Sequence, residues 1–338
     1  MLCGMSKFTA AVVQHAPIVF DSERTLERVH DLTAEAAGLG AALVLFPEAF
    51  VSAYPKGLDF GARVGMRSSE GRDAFRRYFD SAIAVPGPAT ESLSKTAKAF
   101  GVYLVVGVIE REIGTLYCTA LFFGPDGAFM GKHRKVMPTA MERIIWGFGD
   151  GSTMPVFDTR LGKLGAVICW ENYMPLLRMT MYAKGIEIYC APTADDRDTW
   201  LSSMQHVALE GRCFVLTACQ HLRRADCPPD YGAPAIQAGA PMHGQAGVPE
   251  AAVPGGNVGN DGGNPDAVIM RGGSAIIGPL GQVLAGPLFN RSDILVAELD
   301  LGEIARAKYD FDVVGHYARP DIFRLHVNAK PATPVVED

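Results

Sequence analysis

The 338-residue sequence predicts an α/β fold with mixed sheets. Three observations carry that reading. Short apolar runs bounded by Gly and Pro recur along the chain, and several are unbroken Val/Ile/Leu stretches suited to strands covered on both faces. Helical patterns separate many of them, and strand–helix–strand alternation is the mark of α/β architecture. Residues 121–130 (LFFGPDGAFM) and 275–285 (AIIGPLGQVLA) break the alternation, each joining two apolar runs through Gly-Pro-x-Gly, a hairpin signal. Antiparallel pairs must therefore coexist with parallel ones, and the recurrence in each half suggests an internal pseudo-repeat.

In chain order, a strand over 9–15 precedes a helix that Asp21 or Ser22 can cap, with Leu26, Val29 and Leu32 on one stripe. A strand over 42–46 leads to helices over 72–84 and 90–100, then strands over 103–109 and 119–123. The second half reads as strand 164–169, helix 174–184, strand 187–191, helix 198–212, and strands 214–218, 274–277 and 294–299. Residues 232–265 are dominated by Gly, Ala, Pro and Asn, too few large apolar groups to fix themselves, and predict a mobile loop insertion. Residues 326–338 read as a solvated tail, leaving one domain over 8–325.

Composition narrows the function. With 48% hydrophobic and 20% charged residues, most of the chain can bury a core, which excludes disorder. Lys plus Arg is 31 and Asp plus Glu 37, a net charge of −6, so non-specific nucleic-acid binding is a poor fit. No segment approaches the ~20 apolar residues of a membrane helix, and the N-terminus lacks the basic-then-apolar pattern of a secretory signal. The seven cysteines are odd in number, irregular in spacing and without CxxC, which favours reduced thiols and a cytoplasmic setting over a disulfide framework.

Three stretches place chemistry beside strand ends. Glu48 follows the apolar run 44–46, either as a surface or helix-entry carboxylate or as an acid in a poorly solvated site. Residues 131–139 (GKHRKVMPT) form a basic run, ordinarily a solvated face; a phosphate loop fails because Gly127 and Gly131 are one residue too close and His133 replaces the needed Ser/Thr. Cys169 ends the run 164–169, either as a buried inert thiol or as a nucleophile activated by a cation or a base. Carboxylate, ammonium and thiol complement one another. A Cys–His pairing is the rival, through His133, His206 or His221, and zinc on Cys219, His221 and Cys227 fits no common spacing.

These same residues resemble the nitrilase branch of the carbon–nitrogen hydrolase (nitrilase-like) superfamily, which is marked by Glu, Lys and Cys in that order. Glu48 in FPEAF, Lys135 in KHRKVMPT and Cys169 in VICWENYMPLLR match the three, and Glu142 in ERIIWGFGDGS matches a second active-site Glu. YAKGIEIYCAPTADDRDTW, RGGSAIIGPLGQVLAGPL and DFDVVGHYARPDIFRL are similar to plant and cyanobacterial-type nitrilases. The resemblance implies an α-β-β-α sandwich, dimers built through helices beside the nucleophile as an α-β-β-α-α-β-β-α core, and larger helical assemblies in some members. Trp200 and His206 sit on a helix placed for such an interface.

It also implies hydrolysis of a small-molecule nitrile to the acid and ammonia, without metal or organic cofactor. Cys169 would be the nucleophile, Glu48 the general base, Lys135 the charge stabiliser, and Glu142 would orient Lys135 or the attacking water. Tyr54, Thr139, Trp146 and Trp170 are the candidate pocket residues, Tyr54 and Trp170 foremost. An amidase, a nitrile or cyanide hydratase, and an inactive scaffold are the alternatives. The cyanobacterial-type resemblance leans towards aliphatic and dinitrile substrates among several classes.

Overall fold

Alternation along β1 (Lys7–Gln14) sends Ala10 and Val12 to one side and Ala11 and Val13 to the other, all fully buried, so this strand is covered on both faces. The computed structural model describes residues 7–62, 64–65, 67–232 and 264–333. Nearly all of the loop predicted over 232–265, and the last five residues of the tail, therefore lie outside the described residues.

After β1 come α1 (Ser22–Gly38), β2 (Ala41–Leu45), α2 (Ser69–Ser81), α3 (Pro88–Phe100), β3 (Tyr103–Glu112), β4 (Thr115–Phe123), β5 (Phe129–Arg134) and α4 (Glu142–Ile145). Next come β6 (Val156–Thr159), which closes the first half, and then β7 (Gly162–Ala166), α5 (Pro175–Ala183), β8 (Ile188–Thr193), α6 (Asp198–Gly211), β9 (Phe214–Cys219), β10 (His221–Arg223), β11 (Val268–Ile277), β12 (Val283–Phe289), β13 (Asp293–Asp300) and α7 (Gly302–Ala307).

One sheet runs β13-β1-β2-β3-β4-β5 and the other β10-β11-β9-β8-β7-β6, with β12 also on β11. β1, β2 and β3 are parallel, then β4 and β5 turn back as a hairpin. β7, β8 and β9 are parallel, then β11 and β12 do the same. The two Gly-Pro-x-Gly stretches are these hairpins, at equivalent places in a pseudo-repeat. Each half then lends one strand to the other: β6 pairs antiparallel with β7, and β13 antiparallel with β1.

The layers follow from burial. Leu43, Leu45, Val105, Phe122, Leu164, Ile188 and Leu216 meet between the sheets. Val29, Leu32, Leu93 and Ala97 of α1 and α3 cover the outer face of the first sheet, and Leu177, Met181, Met204 and Val207 of α5 and α6 cover that of the second. This is the α-β-β-α sandwich.

The sequence misplaces some ends. Asp21 caps α1 as predicted, its side chain accepting from Arg24 N. α2 begins at 69 rather than 72, because Ser68 caps it, and stops at 81, where Ala82 turns extended. The strand predicted over 164–169 ends at Ala166, and Cys169 opens a 3-10 turn, Cys169–Tyr173. The tail over 326–333 is exposed but not detached: Ala332 N donates to Asp150 Oδ2 at 2.7 Å.

Candidate active site

Glu48, Lys135 and Cys169 stand where β2, β5 and β7 run out. Lys135 is the first residue past β5, and its backbone N–H still donates to Cys118 O on β4 at 2.8 Å. The basic run is thus no solvated face: Lys135 and His133 are buried while Lys132 and Arg134 turn to the other side and pair with Glu110. Glu48 is fully buried in the loop after β2, its backbone carbonyl accepting from Gln220 Nε2 at 2.9 Å.

Cys169 adopts φ +52°, a left-handed conformation costly for a non-glycine residue and characteristic of functional positions. The turn is pinned to hold it: Asn172 Nδ2 donates to Cys169 O at 2.7 Å and Val167 O at 3.0 Å, while Arg178 donates to Asn172 O at 2.7 Å.

The side chains converge. Lys135 Nζ lies 2.6 Å from Glu48 Oε1 and 2.7 Å from Glu142 Oε2. Glu142 Oε2 also accepts from Thr139 N at 2.6 Å, and its Oε1 from Tyr54 OH at 2.7 Å. Cys118 Sγ donates to Glu48 Oε1 at 3.4 Å, and Thr193 Oγ1 to Cys169 Sγ at 3.1 Å. Glu48 Oε2 has no protein hydrogen bond among the described residues, and the Cys169 thiol lies close enough to favour the Glu48 charge.

Electrostatics assigns protonation. Burial pushes the Glu48 carboxyl up, Lys135 pulls it down, and the balance is upward. Burial works against the Lys135 ammonium, but Glu48, Cys169 and Glu142 outweigh it and hold the amine protonated. Burial and then the Glu48 charge push the Cys169 thiol well above its ordinary range. The site thus sets an ammonium between two carboxyl groups, beside a thiol that burial keeps protonated.

Cys169, Trp170, Thr139, Glu142, Tyr54 and Asp195 line a cavity of about 210 Å³. Tyr54 and Glu142 also line a neighbouring cavity of about 210 Å³ that runs over Leu58, Phe60, Met141, Ile144 and Ile145. Tyr54, Thr139 and Trp170 of the predicted pocket residues thus face the first cavity, with Trp170 half-exposed and its indole N–H donating to Asp195 Oδ2 at 2.8 Å. Trp146 lines neither cavity: it is buried behind them, its ring 5.5 Å from Lys135 Nζ and edge-on to Tyr54.

The remaining candidates lie elsewhere. His133 faces Glu171, exposed His206 faces Glu210, and His221 contacts Ser292, so none is set against Cys169. Among the described residues no group of three His, Cys, Asp or Glu side chains is placed to hold a metal ion, and Cys219, His221 and Cys227 form no such group. Trp200 points inward, its N–H on Thr217 Oγ1, rather than out of α6.

Cys118, Thr193, Gln220, Asp195 and Glu171 were not singled out from sequence. Only Glu171 carried a signal, as a carboxylate inside Cys-Trp-Glu-Asn.

A family model described as carbon–nitrogen hydrolase matches residues 9–309. A nitrilase of Bradyrhizobium diazoefficiens is 56% identical over 328 residues, covering 97% of this chain and 94% of that protein. An aliphatic nitrilase of Sinorhizobium fredii is 54% identical over 332 residues, covering 98% of this chain and 99% of that one. The solved structure of a carbon–nitrogen hydrolase from Helicobacter pylori shares the fold at TM-score 0.68 and 22% identity, covering 94% of this chain and 97% of that chain.

Proposed function

This chain belongs to the carbon–nitrogen hydrolase family, and from that premise we propose that it is a nitrilase, converting R–C≡N and two waters to R–COOH and NH₃. The observation that carries the reading is Lys135 Nζ held between Glu48 and Glu142 beside the buried Cys169.

Glu48 takes the thiol proton as Cys169 Sγ bonds to the nitrile carbon, and one C–N π pair moves onto nitrogen. Lys135 stabilises that charge, and the proton taken up by Glu48 passes to the nitrogen, giving a thioimidate and freeing Glu48 as a base. Water, deprotonated by Glu48, adds to the carbon; both of its protons pass to the nitrogen, which leaves as ammonia as the C–N bond breaks, and a thioester remains. A second water releases the acid and returns the thiol. Glu142 has both oxygens occupied by Tyr54, Thr139 and Lys135, which favours orienting Lys135 over orienting water. The nitrile group would meet Cys169 in the first cavity, and an apolar substituent would lie along Leu58, Phe60 and Ile145 in the second.

Residues 8–325 act as one catalytic domain in this reading. Self-association uses the α5–α6 face, where Tyr173, Leu176 and Leu209 are exposed; light scattering on a sizing column tests it. A cytoplasmic setting agrees with the free cysteines at 118, 169, 190, 213, 219 and 227. Among the described residues no helix is long and apolar enough to cross a membrane. The deciding experiment is ammonia release over a panel of nitriles and amides, products identified as acid or amide, with Cys169→Ala as the blank. Release from amides but from no nitrile would overturn the assignment.

A further inference from the structure

Glu171 is a buried carboxylate to which the mechanism gives no task. Its Oε1 accepts from Val136 N at 2.5 Å, and its Oε2 from Ile168 N at 2.8 Å. Val136 is the residue after Lys135, and Ile168 the residue before Cys169. One side chain therefore bridges backbone N–H groups of the residues next to both, which follow strands of different sheets.

The bridge has its own counter-ion. His133 Nε2 lies 2.9 Å from Glu171 Oε2, and His133 Nδ1 lies 2.6 Å from Thr153 O. A carbonyl oxygen and a carboxylate oxygen are both acceptors, so the two partners favour a proton on each ring nitrogen, the imidazolium form. Burial opposes that charge, and Glu171 outweighs it, raising the His133 pKa. Three donors on two oxygens require the carboxylate: an amide in its place would point its NH₂ at an N–H.

We propose that Glu171, hydrogen-bonded to His133, is a positioning residue that ties the backbone beside Lys135 to the backbone beside Cys169 and fixes the spacing of ammonium and thiol. The proposal rests on the roles given above to Lys135 and Cys169. A displacement of about 1 Å at a reacting centre costs on the order of a hundredfold in rate, so a tie one residue from each group reads out in turnover.

The test compares wild type, Glu171→Gln and His133→Gln. With a nitrile the wild type hydrolyses, kcat and KM are measured per folded protein, the folded fraction coming from circular dichroism. Independently of turnover, the rate of iodoacetamide alkylation at Cys169 is followed by peptide mass spectrometry. The expected result is kcat down about a hundredfold in Glu171→Gln and about tenfold in His133→Gln, KM within about threefold, and slower alkylation in the same order. Folded Glu171→Gln with kcat and alkylation within threefold of wild type would overturn the proposal, as would a loss wholly explained by the unfolded fraction. If Glu171→Gln does not fold, His133→Gln decides on the same criteria. A wild type that turns over no nitrile or amide sinks the proposed function instead, and the alkylation comparison still judges Glu171.

Discussion

A thiol kept protonated by burial and by a neighbouring carboxylate is a weak nucleophile until its proton leaves, and this orders the roles in the cavity. Glu48, itself pushed up by burial, is suited to receive that proton, while Lys135 stays cationic to meet charge on substrate nitrogen. Cys169→Ala should abolish ammonia release, and Glu48→Gln or Lys135→Ala should each lower kcat by about a thousandfold or more, because the three act as a unit. More than a tenth of wild-type activity in any of them would contradict the assignment. Tyr54→Phe tests the outer contact. It removes one hydrogen bond to an ionised group, worth about 1.5–3 kcal/mol, and leaves the ring edge-on to Trp146. Expressed fully at the transition state, that is roughly ten- to hundredfold in kcat, with little change in melting temperature. An unchanged kcat would mean that Glu142 holds Lys135 without help.

At the level of elements, the sequence shows where the candidate catalytic groups stand better than what holds them there. Glu48 and Lys135 each follow an apolar run, and the strands that carry them are readable one at a time. Their meeting is not: Lys135 and Glu48 lie 87 residues apart in the chain, and Gln220 and Glu48 172 apart, so no local pattern announces these bonds. The proposed nucleophile shows the other limit. Residues 164–169 are apolar throughout, since the core needs them whether or not they stay in the ladder, and the departure from β7 before Cys169 leaves no trace in hydropathy. The sequence offers Trp146 for the pocket and Trp200 for an interface helix, yet both bury their rings, because bulk alone does not say which way a ring packs.

Backbone approach is equally silent in composition. Gly107 on β3 passes beneath the loop that carries Glu48, and a Cβ there would lie 2.1 Å from Pro47 O and 2.8 Å from Glu48 Cα. Gly107→Ala must therefore push the loop away. The expected outcome is a loss of about 1–3 kcal/mol in urea unfolding together with a fall in kcat as Glu48 is displaced. Wild-type kcat in a destabilised but folded variant would show that the loop gives without moving Glu48.

For the whole molecule, the lending of β6 and β13 between halves ties both sheets into one core, with the proposed catalytic groups of both halves meeting at their junction. Buried charge on either face of the sheets makes stability depend on pH, and the signs follow from the shifts. Burial raises the Glu110 carboxyl, but Arg134 and Lys132 outweigh it, so its folded pKa sits below 4.5. Its contribution is present above 4.5 and is lost as pH falls through the folded value. His133 runs the other way: its folded pKa is raised above 6.5, so its contribution is complete below 6.5 and is lost as pH rises through the folded value. Glu48, also raised, adds to the alkaline decline, so the wild-type curve alone does not isolate the imidazole. The difference between wild type and His133→Gln does. Urea midpoints measured from pH 5 to 9 should show the variant less stable by about 1–3 kcal/mol at the acidic end, since Glu171 loses a charged donor but keeps two backbone ones. The gap should narrow as the wild-type ring gives up its proton. Parallel curves across that range would mean that His133 stays in one protonation state throughout.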